Sequence, residues 1–177
     1  EPLCRHGTEA RARLGAIADL FLDHDRIIEQ PLDDSVVRID GARTLMLRRA
    51  RGYAPLPLEF PRDSRAAGVP AAILACGAQA KSVVAITAGS RVWLGPYLGD
   101  LDDTLAEGRY VAGIAALERL AGVMPRVVAH DVHGDYTSTR HALTRPGRHV
   151  AVQHHHAHIA ACMAEHGLDG RVLGIAW

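Results

Sequence analysis

The sequence predicts an α/β fold in which a mixed sheet carries helices on its faces. Three short, apolar runs separated by glycine turns predict an antiparallel meander. Strand-like and helix-like segments then alternate, which is typical of parallel strands joined by helices. The predicted strands cover residues 71–76, 82–88, 91–94, 126–129, 149–153 and 172–177, and the predicted helices cover 102–121, 136–143 and 154–166.

A smaller α/β region precedes this sheet. Apolar residues three and four positions apart predict an amphipathic helix over residues 9–23 that buries one side. Residues 33–39 and 44–48 predict two short strands around a turn at Gly41. These elements predict the remnant of an α/β domain.

Prolines and glycines recur through residues 52–70, so we expect neither a helix nor a central strand there. We therefore interpret residues 56–70 as a linker between a first domain, 1–55, and a second domain, 71–177. A chain of 177 residues is long enough for one full domain or for parts of two. It starts without methionine and ends on an apolar run, which predicts a segment of a longer protein.

The charges balance, since twenty basic residues stand against twenty acidic ones. This excludes a DNA-binding domain held by bulk charge and gives no general attraction to anionic membranes. No apolar run approaches the roughly 18 residues of a membrane span. The three cysteines lie far apart, which fits a reduced compartment. The sequence predicts a cytoplasmic protein with neither a nucleic-acid partner nor a membrane partner.

Four histidines fall within the five residues from His154 to His158. Positions four apart share one face of a helix, so these two imidazoles can bind one ion. Neutral imidazoles suit zinc or iron, which need further ligands, often a carboxylate. A polar helix start with exposed histidines is the alternative. No glutamate stands where a zinc protease carries its general base, so the pair predicts a metal rather than a particular reaction.

One lysine, Lys81, stands among nineteen arginines. It follows a turn at Gly77 and begins the next predicted strand. A backbone turn of this kind can offer N–H groups to a phosphate while the ammonium group neutralises the charge. A plain hairpin with a solvated lysine is the alternative.

Two further groups of polar residues are candidates for ligand contacts. Ser35 and the arginines Arg48, Arg49 and Arg51 form a basic patch able to hold a phosphate, with solvated arginines as the alternative. The second group follows a strand, at the end where open α/β sheets bind ligands, and can contact a ligand or form the outer shell of a metal site. Its members are His130, Asp131, His133 and Asp135, of which Asp135 has the alternative role of capping the helix that begins at Tyr136.

Four stretches resemble, in order, the HypF carbamoyltransferases of nickel-iron hydrogenase maturation; they are residues 32–38, 47–55, 129–140 and 152–158. Residues 1–55 resemble the tail of a YrdC-like domain. Residues 70–177 resemble the first part of a TsaD-like domain, an incomplete lobe with the RNase H-type mixed sheet of actin and the sugar kinases.

The resemblance implies an enzyme that hydrolyses carbamoyl phosphate and uses ATP to make carbamoyl adenylate. It would then pass the carbamoyl group to the C-terminal cysteine of the partner HypE, releasing AMP, on the route to the cyanide ligands of the nickel-iron centre. The resemblance also implies that His154 and His158 bind a divalent metal, which is zinc, iron or magnesium, and that Lys81 is catalytic. The residues implied to contact the nucleotide or carbamoyl adenylate are Ser35, Arg48, Arg51, Gly77 and Asp131.

The chain departs from the family pattern in two places. The family hairpin GAELKNT is represented by residues 77–83, without the acid and the asparagine. The family segment QHIGDL is represented by residues 96–101, without the histidine. The family continues after Trp177 with a DGTG motif whose aspartate would complete the metal site. We therefore expect the isolated segment to be inactive in carbamoyl transfer.

Two other functions stay open from the residues alone. A TsaD-like tRNA threonylcarbamoyltransferase also pairs two histidines four apart, but its motif carries an acid and a glycine where this chain has His155, His156 and Ala157. A non-catalytic, histidine-rich metal-binding module would need the histidine cluster alone. Nucleotide binding separates an enzyme of this kind from the metal-binding module, because the module needs only a metal.

Overall fold

The computed structural model describes residues 4–59, 72–102 and 104–176. The chain divides into two compact units, Glu1–Ala54 and Pro55–Trp177. Most of the predicted linker, residues 60–70, lies outside the described residues, as do Ala71 and Trp177 at the ends of two predicted strands. Among the described residues, no helix has the length and apolar character needed to cross a membrane.

The first unit contains one helix and a β-hairpin. Helix α1 spans Gly7–Leu14, strand β1 spans Val36–Asp40 and strand β2 spans Arg43–Arg48. The two strands pair antiparallel, and Gly41 in the turn has a φ of 60°, a conformation that favours glycine. The predicted hairpin is confirmed.

The predicted helix over residues 9–23 is wrong in its length, because α1 ends at Leu14. No residue of α1 is buried, and Ile17, Leu20 and Leu22 beyond it are exposed. A short helix is stabilised mainly by packing of its apolar face. No described part of this unit buries that face, so the apolar spacing does not extend the helix beyond Leu14.

The second unit is built on a six-stranded sheet. Its strands are β3 (Leu58–Glu59), β4 (Ala72–Ala75), β5 (Ala85–Ala88), β6 (Arg91–Leu94), β7 (Val127–Asp131) and β8 (Arg148–Val152). They lie in the order β3-β6-β5-β4-β7-β8. The first four in that order pair antiparallel, whereas β4, β7 and β8 pair parallel. The predicted meander and the predicted mixed sheet are confirmed.

Three helices accompany this sheet: α2 (Thr104–Ala121), α3 (Thr137–Thr144) and α4 (His154–His166). Helix α2 is followed by Gly122 at a φ of 65°, the left-handed conformation that often ends a helix. Helix α4 has the bounds predicted from the sequence.

The core of the second unit lies between α2 and the sheet, where Tyr110 and Ile114 are fully buried with Leu74 and Ile86. The Tyr110 hydroxyl donates a hydrogen bond of 2.7 Å to the carbonyl oxygen of Cys76. Burial raises the pKa of the Cys76 thiol and also that of the Tyr110 hydroxyl. This bond joins α2 to the residue that follows β4.

The structure corrects the prediction of a last strand in this unit. Residues 172–176 form no strand and lie against α4, where a Cβ atom on Gly174 would approach the Ile159 side chain to 2.5 Å. A strand needs a hydrogen-bonding neighbour, and none pairs with this segment among the described residues. Within the predicted linker, β3 pairs with β6 at the sheet edge, the position that a proline-rich segment can occupy.

Candidate metal and phosphate site

Three parallel strands bring predicted site residues to one edge of the sheet. Because β4, β7 and β8 are parallel neighbours, their carboxyl ends meet at the same edge. The turn at Gly77 follows β4, Asp131 ends β7 and His154 follows β8. Residues from three separate parts of the sequence therefore lie along this edge.

His154 and His158 face each other on the first turns of α4. The helix begins at His154 because the side-chain oxygen of Gln153 accepts a hydrogen bond of 2.8 Å from the backbone N–H of His156. The Nε2 atoms of His154 and His158 lie 3.1 Å apart. Two nitrogen ligands of one tetrahedral zinc ion are separated by about 3.3 Å, so the two residues fit a shared ion.

Asp131 lies directly behind this histidine pair. One carboxylate oxygen, Oδ2, is 2.9 Å from Nδ1 of His154, and the other accepts a hydrogen bond of 2.9 Å from the backbone N–H of His133. The Asp131 side chain is only 7% exposed. The sequence predicts that Asp131 contacts the nucleotide or forms the outer shell of a metal site, and the structure places its carboxylate against the His154 ring.

The described residues contain no group of three histidine, cysteine, aspartate or glutamate side chains that could surround one ion. His155 and His156 are exposed, and Gln153 Nε2 lies 3.1 Å from Nδ1 of His155. The described part of the site therefore offers two imidazole ligands with one carboxylate behind them.

The turn after β4 is held by backbone contacts to residues 99–101. The Lys81 N–H donates a hydrogen bond of 2.8 Å to Oδ1 of Asp100. The Ser82 N–H donates a hydrogen bond of 2.8 Å to the Gly99 carbonyl oxygen. Lys81 is exposed, has a φ of 50° and lies in the turn, so it does not begin β5 as predicted. At Gly77, with a φ of 70°, a Cβ atom would approach the carbonyl oxygen of Val83 to 2.6 Å. Only glycine fits this turn.

Gln79 is the residue that sequence reasoning missed. Its Nε2 atom donates to the Leu101 carbonyl at 2.7 Å and to Oδ1 of Asp102 at 3.0 Å. Its Oε1 atom accepts a hydrogen bond of 2.7 Å from the backbone N–H of Thr137, at the start of α3. One amide thus joins the glycine turn, the 99–102 segment and the helix that follows β7. The only signal in the sequence is an amide at the position where the family hairpin carries an acid.

We expect Gln79→Glu to lower the free energy of unfolding by about 1–3 kcal/mol. A glutamate can still accept from Thr137, but its second oxygen would face the Leu101 carbonyl and the Asp102 carboxylate. Urea unfolding measures the effect. Gln153→Glu is the matched control, because Gln153 accepts from a helix N–H and a negative charge there is favourable. Equal stability of the two variants would contradict the donor role of Gln79.

Asp135 does not cap α3. Tyr136 occupies the N-cap position and makes no side-chain capping bond, while the Thr137 N–H is bound by Gln79. Asp135 is exposed, and its carbonyl accepts a hydrogen bond of 2.5 Å from Arg140. The capping role considered for Asp135 is therefore wrong, because Gln79 supplies the acceptor from another part of the chain.

The predicted basic patch lies in the first unit. Ser35 Oγ donates to the Arg51 carbonyl and accepts from the Ala50 N–H, both at 2.8 Å, so the serine holds the backbone after β2. Two of the three arginines of this patch are each ion-paired with an aspartate. The pairs are Arg48 with Asp33 at 3.4 Å and Arg51 with Asp34 at 3.3 Å.

Residues 69–165 match the family model described as the HypF Kae1-like domain. The chain is 42% identical to carbamoyltransferase HypF2 of Cupriavidus necator over 183 residues, which covers 99% of this chain and 22% of that protein. It is 42% identical to carbamoyltransferase HypF of Synechocystis sp. over 178 residues, which covers 100% of this chain and 23% of that protein.

Two solved structures also match the chain. Full-length HypF in its phosphate- and nucleotide-bound form superposes with a TM-score of 0.89 at 42% identity, covering 100% of this chain and 27% of that one. HypF of T. kodakarensis superposes with a TM-score of 0.80 at 29% identity, covering 95% and 22% respectively. The chain thus spans about a quarter of the length of these proteins. Since the family model covers more than half of its residues, the chain belongs to the HypF family.

Proposed function

We propose that this chain carries the metal-binding and phosphate-binding part of a hydrogenase-maturation carbamoyltransferase. The observation that carries the proposal is the convergence of His154 and His158, whose Nε2 atoms lie 3.1 Å apart on the sheet edge that also holds the Gly77 turn. A full-length relative has a phosphate- and nucleotide-bound form, which supports phosphate and nucleotide as ligands of the whole protein. The match to HypF proteins favours this function over tRNA threonylcarbamoylation.

In the proposed reaction, water hydrolyses carbamoyl phosphate to carbamate and phosphate. A carbamate oxygen then attacks the α-phosphate of ATP, which forms carbamoyl adenylate and releases pyrophosphate. The sulfur of the C-terminal cysteine of a HypE-type partner then attacks the carbamoyl carbon. A C–S bond forms, the C–O bond to the adenylate phosphate breaks and AMP leaves, while the thiol proton passes to solvent. We place this chemistry in the cytoplasm, where it prepares the cyanide ligands of the nickel-iron centre.

Lys81 and Gly77 are proposed to receive the phosphate. Lys81 is exposed in a turn whose backbone is held by Asp100, so its ammonium group can offset the charge that develops on the leaving AMP. Gly77 allows the turn to form, because a Cβ atom there would meet the Val83 carbonyl oxygen. Backbone N–H groups of such a turn can bind a phosphate.

His154 and His158 are proposed to hold a divalent ion, which is zinc, iron or magnesium. When bound, the ion would supply a positive charge that polarises a phosphate or carbamoyl oxygen. The imidazole pair fits zinc or iron better than magnesium, which prefers oxygen ligands.

Ser35, Arg48 and Arg51 of the first unit are proposed to contact the adenylate. The guanidinium groups of Arg48 and Arg51 form solvent-accessible ion pairs with aspartates, which contribute little to stability, and Arg51 also donates to the Leu32 carbonyl oxygen at 3.5 Å. An incoming phosphate can replace those carboxylates, since a guanidinium binds either anion through two parallel hydrogen bonds.

The proposal is tested by replacing the matching segment of Synechocystis HypF with residues 1–177 of this chain. We expect the chimera to form AMP from ATP in the presence of carbamoyl phosphate and to carbamoylate HypE. His154→Ala and Lys81→Ala in the chimera should each lower carbamoyl transfer by at least about 100-fold.

His166→Ala is the matched control, because His166 is exposed in the last turn of α4, far along the helix from the pair. It should leave the transfer rate unchanged. A folded chimera without carbamoyl transfer, or one that keeps full activity after His154→Ala, would contradict the proposed function.

A further inference from the structure

We propose that Asp131 is a positioning residue that fixes the ring tautomer of His154, so that Nε2 of His154 carries no hydrogen. The inference deepens the proposed function and rests on the metal-binding role given there to His154 and His158.

The first step is that both oxygens of Asp131 face hydrogen-bond donors. Oδ1 accepts from the backbone N–H of His133 at 2.9 Å, and Oδ2 lies 2.9 Å from Nδ1 of His154. A carboxylate accepts hydrogen bonds but donates none, so Nδ1 of His154 must carry the hydrogen. Because the Asp131 side chain is 7% exposed, water has little access to replace it.

The second step concerns the opposite side of the ring. A neutral imidazole carries one hydrogen, so the bond to Asp131 leaves Nε2 of His154 with a free lone pair. That lone pair faces Nε2 of His158 at 3.1 Å. A shared ion would be bound by these two nitrogen atoms. His158 is exposed, so it can exchange its ring hydrogen through water, whereas the tautomer of His154 is set by a buried carboxylate.

The third step shows why an amide cannot replace the carboxylate. Asparagine at position 131 would offer one oxygen and one NH₂ group to two donors, the His133 N–H and His154 Nδ1–H. The backbone N–H cannot change, but the imidazole can move its hydrogen to Nε2 and accept at Nδ1. Asp131→Asn should therefore place a hydrogen on the atom that faces the ion.

The experiment uses the 177-residue chain labelled with ¹⁵N at histidine. Long-range ¹H–¹⁵N spectra at about pH 8, above the ordinary pKa of a free imidazole, distinguish the two tautomers. The His154 signals are assigned by their loss in His154→Ala. We expect the Nδ1–H tautomer in the wild-type chain and the Nε2–H tautomer in Asp131→Asn, with zinc affinity lowered by roughly 10- to 100-fold in that variant.

Asp135→Asn is the matched control, because the Asp135 side chain is exposed and only its backbone carbonyl accepts from Arg140. It should change neither the His154 tautomer nor the zinc affinity. If Asp131→Asn fails to fold, the wild-type spectrum still decides, since an Nε2–H tautomer at His154 would overturn the positioning role.

The metal role of His154 and the positioning role of Asp131 can be overturned separately. An unchanged zinc affinity in His154→Ala would remove the proposed metal role while leaving the tautomer assignment standing. If His154→Ala lowers zinc affinity but Asp131→Asn leaves both tautomer and affinity unchanged, the metal role survives and the positioning role of Asp131 is overturned.

Discussion

Replacing Gly147 with alanine is expected to lower the free energy of unfolding of the second unit by about 3 kcal/mol. Gly147 has a φ of 125°, and a Cβ atom there would approach the carbonyl oxygen of Arg126 to 2.5 Å. That oxygen accepts from the Arg148 N–H at 2.8 Å, at the start of the pairing between β7 and β8. Displacing it would loosen the two strands that position Asp131 and His154.

Gly108→Ala is the matched control, since Gly108 lies within α2 and a Cβ atom there would meet nothing within 4 Å. This variant should gain about 0.5–1 kcal/mol from better helix propensity. Both substitutions remove the same freedom from the unfolded chain, so that effect cancels in the comparison. Urea unfolding followed by tryptophan fluorescence reports on the second unit, because Trp93 and Trp177 both belong to it. Equal midpoints for the two variants would contradict the close approach at Gly147.

Ile114→Ala should cost about 2–5 kcal/mol, because it opens a cavity in the core of the second unit. Ile114 is fully buried on α2 and belongs to the same cluster as Leu74 and Ile86 from the sheet. The same urea experiment should show a lower unfolding midpoint, while the slope of the free energy of unfolding against urea concentration stays unchanged.

Val111→Ala provides the comparison on the same helix. Val111 is 41% exposed, so removing its methyl groups should change stability by less than about 1 kcal/mol. A loss in Val111→Ala as large as that in Ile114→Ala would mean that the buried face of α2 has been assigned incorrectly.

Helices and strands that are defined by residues close to them in the sequence were predictable from the sequence. The bounds of α4 follow from a capping side chain at Gln153 and from Gly167, which has a φ of 59° directly after the helix. The meander follows from short β-branched runs between tight turns, with Gly89 at a φ of 66° between β5 and β6. In each case the residues that define the element lie within a few positions of it.

Contacts between distant residues could not be predicted in the same way. Gln79 meets the Thr137 N–H across 58 positions, and Asp131 meets His154 across 23. The sequence places Asp131 and His154 after neighbouring parallel strands, but their contact depends on a register that pairs Asp131 with Val152. The apolar spacing over residues 9–23 indicates an apolar helix face, but it does not show whether another element of the structure covers that face.

The burial of Cys76 gives the second unit an internal reporter of its own opening. A thiol reacts with alkylating reagents as the thiolate, and burial of Cys76 both excludes the reagent and raises the thiol pKa. Cys162 on α4 is exposed and needs no opening to react. The rate of alkylation at Cys76, compared with that at Cys162, therefore measures how often the end of β4 separates from Tyr110 and from the core in the native protein.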